Sequence, residues 1–172
     1  LMAAAHADAV HGAEICRDLQ DRLVMIARVS DAGAFVNTNA LTLKRSHGDY
    51  SVMQLLYDGS EIKAVLDFVN AGEVPIAWEL IRSYSYMDCT FNAARLAAYT
   101  NEYRRYAEVS MDDLRYMPYL YLGQLLSSTY GYKQYLQTGD EELLAFGRWR
   151  TEMCRYLIAN AGEVSAELVR LA

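Results

Sequence analysis

Asp49, Gln54 and Asp67 are the residues whose types and spacing suit a reaction. A carboxylate beside a hydroxyl orients that hydroxyl and takes its proton, and further hard oxygens hold Mg²⁺ against phosphate groups. Asp49 closes the polar head His47-Gly48-Asp49, Gln54 follows just before the apolar run Leu55-Leu56-Tyr57, and Asp67 ends a second apolar run, Ile62 to Leu66. Asp58-Gly59 lies between the runs and tolerates the positive φ angles of a tight turn. The spacing therefore predicts a hairpin of Val52 to Tyr57 against Ile62 to Leu66, which returns Asp67 towards the other two groups. A His-Gly-Asp triplet alone carries little information, because its dipeptides are common in turns.

The supporting elements read as mostly helical. Cys16, Leu19, Leu23 and Ile26 recur at helical steps, with Arg17, Asp18, Asp21, Arg22 and Arg28 mostly elsewhere on the wheel, so residues 2–30 read as one helix. Leu41 to Arg45 alternates as a short strand and delivers the chain to His47. After Asp67 the chain turns through Gly72 and Pro75, then reads as helix from Ile76 to Thr100, with a break marked by Cys89-Thr90-Phe91 and a continuation or restart over 101–108. Ser110, followed by Asp112 and Asp113, caps a Tyr- and Leu-rich helix over 112–136 that carries Pro118 near its start. Thr138-Gly139-Asp140 separates it from a helix bearing Leu143, Phe146, Trp149, Met153 and Leu157, and a last short helix starts at Glu163. The expected class is mainly α with a small β-hairpin sheet, in a single domain over 1–172 whose catalytic and metal loops span about 43–70 and whose helical part spans about 75–172. No long alternation of strand and helix is present, which argues against a doubly wound sheet.

Composition narrows the function classes. The net charge is −6 and the arginines are dispersed, so no basic footprint for nucleic acid is present. No apolar run reaches the length of a membrane span, and the first residues lack the form of a signal peptide. Cys16, Cys89 and Cys154 are far apart and odd in number, which points to a reducing compartment, the cytoplasm, rather than to a disulfide framework or a cysteine zinc site. His6 and His11 fall on a polar helix face with a spacing that does not pair them on a metal.

His47-Gly48-Asp49 with Gln54 resembles the catalytic loop of protein kinases, His-x-Asp with an amide residue at a fixed offset, and Asp67-Phe68 stands where those enzymes place a second, metal-binding Asp. The longer pattern HGDYSVMQ, LDFVNA and AWEL resembles the aminoglycoside phosphotransferase superfamily, which includes aminoglycoside, choline and methylthioribose kinases and homoserine kinases of the second type. The resemblance covers about residues 43–82, and the helical remainder leans towards the homoserine kinase branch. It implies the C-terminal lobe of a protein-kinase-like fold and transfer of a phosphoryl group from ATP, with Mg²⁺, to a hydroxyl of a small molecule of amino acid, amino alcohol or aminoglycoside type. It implies Asp49 as catalytic base, Gln54 and Asp67 as metal ligands, and His47 and Glu79 as supports of the loop. Gln54 replaces the more usual Asn, and Glu79 the usual Asp.

The family also uses an N-terminal lobe with a phosphate-covering loop and a strand lysine. The 46 residues before His47 read instead as a helix and a strand, so the chain reads as the C-terminal lobe alone, inactive by itself. A missing lobe is expected to leave apolar surface that supports a homodimer. Two other readings fit the same residues: a non-catalytic kinase-like binding or scaffold module, and a helical interaction domain in which the motif is coincidental. The tyrosines, Tyr116, Tyr119, Tyr121, Tyr130, Tyr132 and Tyr135 among them, read as core and rim, or as an aromatic cage for a quaternary ammonium group.

Overall fold

The computed structural model describes residues 1–31, 36–87 and 91–172. The helices are α1 (Met2–Ala7), α2 (Gly12–Asp31), α3 (Ile76–Met87), α4 (Ala93–Arg104), α5 (Met111–Ser127), α6 (Tyr130–Thr138) and α7 (Glu141–Leu171). The strands are β1 (Leu43–Ser46), β2 (Leu55–Asp58), β3 (Glu61–Val65) and β4 (Gly72–Pro75). The fold is thus mainly α with two small antiparallel sheets, β1 with β4 and β2 with β3. The chain groups into two compact units, one of Leu1–Phe35 with Leu122–Ala161 and one of Val36–Tyr121 with Gly162–Ala172. No described helix is long and apolar enough to cross a membrane.

The first unit corrects the single helix expected over 2–30. Asp8 leaves helical geometry, and its Oδ1 accepts from the amides of Val10 at 3.0 Å and His11 at 2.6 Å. A side-chain acceptor at this point offers the backbone an alternative to the helical ladder, so α1 ends and α2 restarts. The apolar stripe is rotated from the expected one. Ile15, Cys16, Leu19 and Met25 are buried, whereas Leu23 and Ile26 are exposed, and Asp18 and Arg22 lie inside.

Partners from distant segments explain the buried charges. Tyr132 Oη donates to Asp18 Oδ2, and Arg155 Nη2 donates to Asp18 Oδ1 at 2.8 Å. Burial, followed by the Asp18 contact, pushes the Tyr132 phenol well above its ordinary range. Arg22 Nη2 donates to the carbonyls of Leu125, Leu126 and Ser128. Leu125 and Leu126 lie in the last turn of the helix that ends at Ser127 and Ser128 lies just beyond it, where carbonyls lack the regular partners of a helix interior. The helix expected over 112–136 accordingly stops at Ser127, and α6 begins at Tyr130. Cys16 and Cys154 are free and buried; Cys89 lies outside the described residues.

Acid should loosen this unit. Arg148 binds Glu14 in bidentate fashion, at 2.5 Å and 2.6 Å, and holds its carboxyl below the ordinary range, while the His11 amide does the same for Asp8. A depressed folded-state pKa contributes stability that is present above the unfolded pKa and lost as pH falls through the folded one. The thermal midpoint is therefore expected to drop between about pH 5 and about pH 3. Asp8→Asn with Glu14→Gln should flatten that slope in melts followed by circular dichroism, and an unchanged slope would count against the assignment.

The second unit holds the motif residues. β1 agrees with the expected strand, but its partner β4 falls where only a turn was read, pairing Leu43 with Pro75 and Ser46 with Gly72. β2 and β3 form the expected hairpin, with Gly59 at φ +59°. The expected helix from Ile76 to Thr100 is two helices, α3 and α4. The Cys89-Thr90 part of the expected break lies outside the described residues, and Phe91 has φ +38°. Ser110 caps α5 as expected. Its Oγ accepts from Asp113 N at 3.0 Å, while Asp113 Oδ2 accepts from Ser110 N at 2.8 Å. Asp113 Oδ1 also accepts from Thr42 N at 2.9 Å, tying the start of α5 to the approach of β1. Asp113→Ala is expected to cost about 2 kcal/mol, from a lost cap and an unsatisfied amide; urea denaturation measures it. The short helix expected from Glu163 is instead continuous with α7, because Gly162 weakens a helix without ending it.

Candidate functional site

β1 leads into residues 47–50, and α3 fixes this loop from below. Glu79 is buried, and its two carboxylate oxygens accept from Gly48 N and Tyr50 N, each at 3.1 Å. These amides flank Asp49, so the bidentate grip sets the backbone on both sides of that carboxylate. Burial raises the Glu79 carboxyl above its ordinary range, with the two amides pulling the other way. Gly48 has φ +79°, and a Cβ built there would stand 2.0 Å from the Asn70 carbonyl oxygen. Only glycine lets the loop meet the segment after Asp67 this closely.

His47 is the second brace. Its Nε2 donates to the Leu66 carbonyl at 2.6 Å, which fixes the tautomer because a carbonyl can only accept. The ring is 4.6 Å from that of Phe68 and 5.9 Å from that of Tyr50, centroid to centroid. Nδ1 is buried and has no hydrogen-bond partner among the described residues.

Gln54 and Asp67 are tied to the same place. Leu66 N donates to the Gln54 carbonyl at 2.8 Å, so the residue before Asp67 is bonded to Gln54 itself. Gln54 closes a short turn capped by Ser51, whose hydroxyl accepts from Met53 N and donates to Gln54 Oε1. Asp67 is exposed and left-handed, at φ 61° and ψ 58°, and makes no capping bond to the turn that follows it. The left-handed turn carries the chain back from β3 towards Gly48.

Sequence reasoning missed Arg82. Its Nη2 forms an ion pair with Asp49 Oδ1, and its guanidinium lies 5.5 Å over the Trp78 ring. The signal was present in the helical spacing, since Arg82 follows Glu79 by three and Trp78 by four, which puts all three on one face of α3. Ser51 was also missed; its hydroxyl precedes Gln54 by three and is the type that caps a short turn.

The residues meet the demands of Mg²⁺ in part. Among the described residues no group of three His, Cys, Asp or Glu side chains converges as a metal cage. Mg²⁺ does not ask for one, because it keeps waters and takes one or two carboxylates together with substrate phosphates. The exposed Asp67 carboxylate and the Gln54 amide oxygen, which retains an acceptor site beside the Ser51 hydroxyl, match that smaller requirement.

Beside the site, the β2–β3 hairpin leaves apolar side chains exposed among the described residues. Leu56, Tyr57 and Ile62 are each at least half exposed, and Phe68 and Val69 beside Asp67 are exposed further.

A model of the phosphotransferase enzyme family matches residues 5–109, more than half of the chain and all of the site described above. No curated protein and no solved structure matches the chain.

Proposed function

This chain belongs to the phosphotransferase enzyme family, and from that premise we propose that it carries the catalytic and metal loops of an ATP- and Mg²⁺-dependent small-molecule kinase. The acceptor is a hydroxyl on an amine-bearing compound, of amino acid, amino alcohol or aminoglycoside type. The observation that supports the reading is the set of bonds that ties the loop around Asp49 to the segment around Gln54 and Asp67: Glu79 to the amides of Gly48 and Tyr50, His47 to the Leu66 carbonyl, and Leu66 N to the Gln54 carbonyl.

In this reading Asp49 accepts the proton of the attacking hydroxyl. The acceptor oxygen bonds to the γ-phosphorus, the bond from that phosphorus to the bridging oxygen breaks, and ADP leaves with the electron pair. The proton passes from Asp49 to solvent. Asp67 and Gln54 would hold Mg²⁺, which supplies charge neutralisation at the phosphates when bound. Glu79 and His47 keep the loop in place without touching substrate. The exposed hairpin and Phe68 offer an apolar bed for a flat base, and the reading assigns cover over the nucleotide to a separate lobe in a kinase-like, two-lobed protein of the cytoplasm. The chain by itself should then bind Mg-ATP weakly and turn over little. Tight Mg-ATP binding by the isolated chain in calorimetry would contradict that division of labour.

Arg82 acts in the same scheme as a positioning residue, since its ion pair aims the Asp49 carboxylate. Arg82→Gln is expected to lower kcat by about ten- to a hundredfold through misplacement of that carboxylate. KM for the nucleotide should stay unchanged, and Arg82→Lys should restore part of the rate. Equal loss in both variants would assign Arg82 a packing role instead. The direct test of the whole reading is transfer of labelled phosphate from ATP to a panel of hydroxyl compounds by the protein carrying both lobes. Transfer that is absent across amine-bearing acceptors, with Mg²⁺ present, would overturn it.

One observation favours a second reading. Asp49 is engaged by Arg82 and the Gln54 oxygen by Ser51, an arrangement that also suits a non-catalytic binding module. Retained ligand binding in a protein that turns over no acceptor would select it.

A further inference from the structure

The first unit holds an apolar cavity of about 370 Å³, within the ~300–1,000 Å³ usual for small-molecule sites. Leu19, Leu23 and Ile26 of α2 and Leu126 of α5 are among its walls, and Arg22 and Thr129 are the polar residues of the lining. Leu23 is 62% exposed and Ile26 40%, whereas Arg22 is 3% exposed. The cavity therefore opens through aliphatic side chains onto a cation held in the interior. No aromatic ring lines it, so it offers no flat face for a base or a sugar ring and suits a flexible aliphatic chain instead.

The Arg22 guanidinium has donors to spare. All three of its bonds, to the carbonyls of Leu125, Leu126 and Ser128, come from Nη2, which has only two N–H groups. Nε is buried and has no partner among the described residues. The three acceptors are neutral, so the bonds orient the group without cancelling its charge. The acid one turn away on α2, Asp18, is taken by Tyr132 and Arg155. Burial raises the Cys154 thiol, while Arg22, Arg150 and Arg155 pull it the other way, so three cations act on this interior. A buried charge is tolerated where a counter-charge and a full set of hydrogen bonds answer it, and for Arg22 both are incomplete among the described residues. A carboxylate supplies both, because its two oxygens match two parallel N–H donors of a guanidinium.

We propose that this cavity is a binding site for an aliphatic carboxylate of medium chain length, with the carboxylate on Arg22 and the chain along Leu19, Leu23, Ile26 and Leu126. The cavity belongs to the first unit and the candidate active site to the second, so the proposal stands apart from the phosphotransferase reading. The test is an NMR titration of the intact chain, with its leucine and isoleucine methyl groups isotope-labelled. Octanoate, octan-1-ol and octylamine are compared, each below its micellar concentration. Octanoate should shift the methyls of Leu19, Leu23, Ile26 and Leu126 saturably. Octan-1-ol keeps the chain and loses the charge, and should bind about tenfold more weakly or worse. Octylamine, which puts a cation against Arg22, should not saturate. Leu23→Glu sets a competing carboxylate at the mouth and should weaken octanoate by about fivefold or more. Leu23 is exposed, so this change leaves the fold intact. Arg22→Met should erase the preference for octanoate over octan-1-ol, and if that variant fails to fold by circular dichroism, Leu23→Glu decides. No saturable octanoate shift, octan-1-ol binding as tightly as octanoate, shifts centred on other methyls, or unchanged octanoate affinity in Leu23→Glu would overturn the proposal.

Discussion

Replacing Asp49 by Asn is expected, under the proposed kinase function, to remove phosphoryl transfer from a protein carrying both lobes while leaving nucleotide binding in place. The amide keeps the shape of the carboxylate but cannot take the proton of an attacking hydroxyl. Loss of a general base lowers rate by about 10²- to 10⁴-fold. The substitution also weakens the ion pair between this residue and Arg82. Arg82 is mostly buried, so the variant should lose about 1–3 kcal/mol of stability as well. The comparison must therefore be made at matched folded fraction, with kcat read from initial rates and unfolding followed separately. Turnover within a few fold of the parent would remove Asp49 from the mechanism. A collapse of nucleotide affinity together with kcat would instead make Asp49 a structural residue of the loop.

Gly48→Ala is expected to have the largest combined effect on stability and activity outside the reacting groups. The alanine Cβ would meet the Asn70 carbonyl oxygen at 2.0 Å, far inside contact distance, and Asn70 lies on backbone that cannot rotate out of the way as a side-chain tip would. The φ of +79° adds the cost of a left-handed L-residue, about 1–2 kcal/mol. Relief requires the loop and the segment after Asp67 to separate. That movement strains the two amide bonds to Glu79 and the His47 bond to Leu66, which tie the loop carrying Asp49 to α3 and to the residue before Asp67. A displacement of about 1 Å at a reacting group costs about a hundredfold in rate. The expected outcome is a lower unfolding midpoint together with a kcat loss of that order. Gly59→Ala serves as the control, because Gly59 also has positive φ but meets nothing within 4 Å. If the two variants lose stability equally and neither loses activity, the close approach at Asn70 has no functional weight.

The parts that were legible in the sequence are the ones decided by neighbours along the chain. Asp58-Gly59 predicts a hairpin because a two-residue turn needs positive φ, and Gly59 adopts it. Ser110 with Asp113 predicts a helix start because a side chain three residues away can satisfy the first amides. Gly139 ends α6 in the left-handed conformation. The candidate site reads from sequence for a related reason: a loop and a hairpin compress the candidate groups into 47–67, and the family match spans them.

What sequence reading missed depends on partners distant along the chain. β4 escaped detection because four residues, with a glycine at one end and a proline at the other, become a strand only beside β1. Arg22 and Asp18 read as surface charges because burial of a charge is tolerable only when another segment supplies partners. The carbonyls of Leu125, Leu126 and Ser128 do so for Arg22, and Tyr132 with Arg155 for Asp18. The amphipathic period of α2 was visible, but its phase was not, since Leu23 and Ile26 compete with Ile15 and Met25 for the same stripe and only packing chooses between them.

The sequence by itself determined the chemistry that is possible here: a carboxylate and two oxygen donors in a phosphotransferase pattern, with the turn that folds them together. The tertiary structure decided how that chemistry is held, through Glu79 on the amides flanking Asp49, His47 on the Leu66 carbonyl and Arg82 on Asp49 itself. The reason is one of range, since turn and cap preferences act within a few residues, whereas a hydrogen bond or ion pair that joins more distant segments, such as Gly48 and Glu79 at a separation of 31 residues, exists only once the backbone has brought them within about 3 Å.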